Sequence, residues 1–145
     1  MLTEKDYCDY DTCVALKELG FREKCSTYYD TEDNVGLLYN TQWACDNTPY
    51  QFTDCLESHN AYEGNSYVDA PTLWEAQKWL RVEKKIEVNA TYDNVVELHW
   101  HWYMKSLTNR NQTTSIINYD SYEQALLAGI KVAVKILKEN ETIHE

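Results

Sequence analysis

The residues best spaced to do chemistry are Glu97-x-His99-x-His101. Along an extended strand, side chains two apart share a face at roughly 7 Å spacing, so all three reach towards one metal ion. A closed site needs a further ligand, and His59 is the only distant histidine away from the C-terminal end. Histidines exposed on a strand, or packed on Tyr103, satisfy the same pattern without a metal. Nucleophilic catalysis needs a thiol beside a histidine with a third group to orient it, and no local arrangement of the five cysteines singles one out. Carboxylates are too numerous in this chain for a pair to be informative. Walker, GxGxxG, GxSxG and HExxH motifs are all absent. The balance is against an enzyme, and no cofactor is expected.

A second constellation offers recognition. Acids and large rings alternate through Tyr28, Tyr29, Asp30, Glu32, Asp33, Tyr39, Trp43, Asp46, Tyr50, Asp54, Glu57, Tyr62, Glu63, Tyr67 and Asp69. Tyr and Trp dominate the contact energy of protein interfaces, so this stretch reads as a partner-binding surface, with some rings reserved for the core. Residues 1–70 carry a net charge of −10 and residues 71–145 only −1, and no Lys or Arg lies between Lys24 and Lys78. Nonspecific nucleic-acid binding rests on cationic neutralisation of phosphates, for which an acidic chain is badly placed. A basic protein partner, or mimicry of nucleic acid towards one, suits the charge better.

These groups need a scaffold. A chain of 145 residues fits a single domain that buries its own core, and 12 Tyr with 5 Trp supply large rings for it. Cys8, Cys13, Cys25, Cys45 and Cys55 are odd in number with no CxxC pair, which reads as reduced thiols packed as small hydrophobes. No stretch approaches the roughly 20 apolar residues of a membrane span, and the start lacks a secretory pattern. The expectation is a soluble, cytoplasmic protein with no membrane partner, in which three Asn-x-Thr triplets carry no meaning.

The pattern along the chain predicts an α+β fold, an antiparallel sheet with helices packed on one face. Residues 9–19 read as a helix with Asp9 as N-cap, Cys13, Leu16 and Leu19 in the apolar stripe, and Gly20 as the stop. Two strands follow, 24–29 and 35–43, completing an N-terminal segment of 9–43. Residues 44–70 give an irregular acidic and aromatic segment, with a short helix near 52–58. Residues 71–140 form an α-β-β-β-α unit. Thr72 and Glu75 make a capping box before Leu73, Ala76, Trp79 and Leu80. Strands 86–90, 95–104 and 113–119 come next, the second with Val96, Leu98, Trp100, Trp102 and Met104 on one face and Glu97, His99, His101 and Tyr103 on the other. Ser121 opens a last helix striped by Leu126, Ile130, Ala133, Val134 and Leu137, in which Gly129 lets the helix approach the sheet.

The layout over 72–139 resembles the double-stranded RNA-binding domain, whose last helix starts with a basic cluster gripping phosphates; here that position reads Ser121-Tyr122-Glu123-Gln124, without a base. Leu16-Lys17-Glu18-Leu19-Gly20-Phe21, Ala70 to Arg81, and Ser121 to Ala125 with Gly129-Ile130 resemble a group of small proteins encoded by Bacteroidales genomes, their phages and other mobile elements. That group has no assigned activity, so the resemblance implies an accessory role and carries over no catalytic residue. The leading expectation is a noncatalytic accessory protein that binds an unidentified protein, or a second copy of itself through the outer face of strand 95–104. A nucleic-acid-binding module and a small metal-dependent enzyme stand as alternatives.

Overall fold

The structure is a computed structural model that describes residues 2–32, 36–39, 59–61, 66–93 and 99–144. The chain is α+β and forms two compact units, Asp9–Pro71 and a second made of Met1–Cys8 with Thr72–Glu145.

In the first unit, α1 (Tyr10–Glu18) starts where Asp9 accepts from the Thr12 amide at 3.1 Å. It stops at Gly20, whose φ of +101° is glycine territory. The Phe21 amide then bonds Leu16 O at 2.9 Å and the Gly20 amide bonds Lys17 O at 3.1 Å, the paired bonds of a Schellman stop. Phe21 and Leu16 are both fully buried. Three short strands follow: β1 (Thr27–Asp30), β2 (Leu37–Tyr39) and β3 (Tyr67–Asp69), in the antiparallel order β2-β1-β3. The expected pair at 24–29 and 35–43 is present over Thr27–Asp30 and Leu37–Tyr39, residues 35 and 40–43 and the short helix expected near 52–58 lying outside the described residues, while β3 falls inside the stretch read as irregular. Thr27, Tyr29, Leu37 and Val68 share the face towards α1, where Tyr29 meets Tyr10 edge-on at 5.7 Å. The turn His59–Ala61 is fastened by Asn60. Its backbone amide donates to Asp69 Oδ2 at 2.9 Å, its Oδ1 accepts from the Asp69 amide at 3.0 Å, and its Nδ2 donates to Phe21 O at 3.0 Å.

The second unit is built as its periodicity predicts. The Thr72–Glu75 capping box opens α2 (Leu73–Glu83), with bonds of 3.1 and 2.9 Å. Lys85 ends the helix in the left-handed region at φ 57°, a conformation the sequence does not announce. Strands β4 (Ile86–Asp93), β5 (His99–Ser106) and β6 (Gln112–Thr114) lie antiparallel in that order. β4 runs three residues past its expected end, and β6 ends early, leaving Tyr119 in an isolated bridge with Trp100. Ser121 accepts from the Gln124 amide at the head of α3 (Tyr122–His144). Both helices pack on the sheet, with Leu80, Val88, Trp102, Met104, Leu126, Ile130 and Val134 buried among them. Gly129 is where α3 comes closest: a Cβ there would lie 2.7 Å from Val88 Cγ1 and 3.0 Å from Trp102 Cβ. The N-terminal segment, a 3-10 turn over Glu4–Asp6, belongs to this unit, where Tyr7 bridges Thr72.

Candidate functional site

In the first unit, strand alternation separates the tyrosines by face. Register sets Tyr28 opposite Asp69 and Leu38, and Asp30 opposite Tyr67, so these five share the face turned away from α1. Tyr28 and Tyr67 stack edge to face at 5.0 Å and are half-buried, as are Asp30 and Leu38. Such a pair holds two rings in a fixed relation at little entropic cost, the property that makes aromatic pairs useful anchors. Asp30 also accepts from the Glu32 amide at 2.9 Å, which sets the turn that leaves the strand.

The other residues expected on this surface divide. Glu32 is exposed, and so is Tyr39, but its register opposite Thr27 puts Tyr39 on the face of Tyr29. Tyr29 points the opposite way, against Tyr10. Asp69 has to be removed from the binding surface: it is fully buried, and its carboxylate and amide are spent on Asn60. An unpaired buried carboxylate is costly, so the bond to the Asn60 amide is the physical reason Asp69 tolerates that position. Asp33, Trp43, Asp46, Tyr50, Asp54, Glu57, Tyr62 and Glu63 lie outside the described residues. Sequence reasoning missed Asn60, whose role depends on partners 9 and 39 residues away and leaves no local signal.

In the second unit, His99, His101, Tyr103 and Lys105 share the sheet face turned away from the buried Trp102 and Met104, with Asn89 reaching the Tyr103 hydroxyl at 3.4 Å. Register puts Asp93 opposite His99 and Thr91 opposite His101. The two imidazoles lean together, with ring centroids 5.9 Å apart and planes at 50°. The Nδ1 atom of each is buried and has no hydrogen-bond partner. Leaving such an atom unpaired costs about 1–3 kcal/mol. Glu97, the third member of the sequence constellation, lies outside the described residues. Among the described residues no group of three or more His, Cys, Asp or Glu side chains gathers around one point. Cys8, Cys13 and Cys25 are fully buried.

No helix among the described residues is long and apolar enough to cross a membrane. No protein-family model matches the chain, and no curated protein or solved structure matches it at a significant level.

Proposed function

We propose that this chain is a noncatalytic binding protein whose first unit presents a tyrosine-bearing, acidic sheet face to a basic protein partner. The observation that carries this reading is the Tyr28–Tyr67 pair with Asp30 and Leu38 on one face of the sheet. Aromatic anchors supply contact area there, while the net charge of −10 over residues 1–70 steers cationic partners and discourages anionic ones. The accessory role implied by the resemblance to mobile-element proteins fits a chain that works by occupying a partner. The test is capture on immobilised protein from a bacterial lysate, read by quantitative mass spectrometry, with Tyr67→Ser plus Asp30→Asn as the comparison. A stoichiometric, basic partner depleted at least tenfold on the variant is expected. Equal capture by both proteins removes the face from the reading.

One observation favours a second reading. Lys84, Lys85, Lys105 and Arg110 all fall at the end of the second sheet where β4 begins and β5 ends, with Glu87 opposite Lys105 and Lys84 over the Trp79 ring. That cationic end is offered to a polyanion such as duplex RNA, on a unit whose element order follows the RNA-binding layout. Against it, α3 starts near Trp100, five residues up β5 and so about 17 Å from Lys105, which separates the cations from the helix start that grips phosphate in that layout. A duplex RNA titration decides: affinity that falls steeply with salt supports this reading, and absence of binding at low salt removes it.

A further inference from the structure

The geometry points to a transition-metal site on the outer face of the second sheet, formed by His99 and His101 and independent of the tyrosine face. Three observations converge. First, the pair sits at i and i+2 on β5, the spacing that lets a rigid strand hold two imidazoles on one side. Second, the rings are close to chelating distance. With metal–nitrogen bonds of about 2 Å and a tetrahedral angle, two imidazole centroids on one ion lie about 5 Å apart, and a small torsional adjustment within each rotamer well covers the difference from the observed 5.9 Å. Third, each Nδ1 is buried without a partner, in a protein interior where nearly all such atoms are paired. A neutral imidazole carries one lone pair and one N–H, so one of its nitrogens can bind a cation without competing with a hydrogen bond already made.

The donor set selects the ion. Two imidazoles favour the borderline divalent metals, Zn2+, Ni2+ and Cu2+, and offer Mg2+ or Ca2+ nothing they prefer. Both residues are half-buried, so solvent reaches the pair and supplies the remaining ligands. The chain's net charge of −11 favours a cation.

The experiment is calorimetric titration of untagged, chelator-treated, reduced full-length protein with Zn2+, Ni2+ and Mg2+. One equivalent of Zn2+ or Ni2+ bound and no Mg2+ is expected, with affinity reduced at least tenfold in His99→Gln and in His101→Gln. Co2+ substitution separates this site from the cysteines: histidine and water ligation gives no thiolate charge-transfer band. Thr91→His adds a third imidazole across from His101 and is expected to tighten binding at least tenfold, an outcome that no unfolded variant can mimic. Absence of Zn2+ and Ni2+ binding, unchanged affinity in both glutamine variants, or a thiolate band that persists in them overturns the assignment.

Discussion

The two units spend different currencies on staying folded. The second rests on apolar area: two helices lie across a sheet whose longer strands each run eight residues, and its interior is Leu, Val, Ile, Trp and Met. Among the described residues of the first, strands of three or four residues and an apolar cluster of Leu16, Phe21, Leu37 and Val68 are joined by particular buried polar bonds. Asn60 ties Phe21 to β3, and the buried Thr27 hydroxyl donates to Ala70 O while the Ala70 amide returns a bond of 3.0 Å to Thr27 O. Apolar burial is nondirectional and degrades in proportion to area, whereas a buried polar bond is lost as a whole and leaves a desolvated group behind.

The sharpest way to break that comparison is to remove one large group from each unit. Trp102 is 7 % exposed and lies under Gly129, so Trp102→Ala should cost about 3–5 kcal/mol, seen as a lowered denaturant midpoint. Asn60→Ala deletes far less volume, yet it takes the Asn60 Oδ1 acceptor from the Asp69 amide and one of the bonds from Phe21 O, which keeps the Arg22 guanidinium at 3.0 Å, in a site where Asn60 itself is only 2 % exposed. Its expected cost is about 1–3 kcal/mol. Amide exchange should show β1 and β3 losing protection first. A loss below 1 kcal/mol would mean that water replaces Asn60 and that the first unit is held by area after all.

The same contrast explains what could be read in the sequence. The second unit was legible because its periods are long: the Leu73-Ala76-Trp79-Leu80 stripe behind a capping box, strand alternation through Trp100, Trp102 and Met104, and a clean α3 face. Its outer face placed His99 and His101 together for the same reason. In the first unit only α1, with Asp9 and Gly20 as punctuation, was equally plain. β3 was missed because three residues, Tyr67-Val68-Asp69, are too few to show a period. The buried Asp69 reads as a surface acid in the sequence because its acceptance inside depends on Asn60, nine residues away.

Gly129 sharpens the comparison on the apolar side. Alanine would gain about 1 kcal/mol of helix propensity. Its Cβ, however, would enter 2.7 Å from the stiff, β-branched Val88 and 3.0 Å from Trp102 Cβ, neither a flexible chain end. Overpacking of this kind costs about 1–3 kcal/mol, so Gly129→Ala is expected to lower the melting temperature by several degrees despite its better propensity. A rise instead would mean that α3 can slide off the sheet without penalty.

The smallest effects come from how the two units stop a helix. α1 ends on Gly20 at φ +101°, with nothing within 4 Å of where a Cβ would stand, so Gly20→Ala meets no clash and pays only the backbone penalty, about 1–2 kcal/mol. α2 ends on Lys85 at φ 57°, where a side chain already pays part of that penalty. Lys85→Gly should therefore stabilise the protein by roughly 0.5–1 kcal/mol, less the entropy that glycine adds to the unfolded chain. Thermal melts of the two variants are expected to shift in opposite directions. If Lys85→Gly destabilises instead, the Lys85 carbonyl's bond from the Leu107 amide at 2.8 Å depends on a stiff backbone there, and the turn between α2 and β4 is held from the strand side as firmly as from the helix.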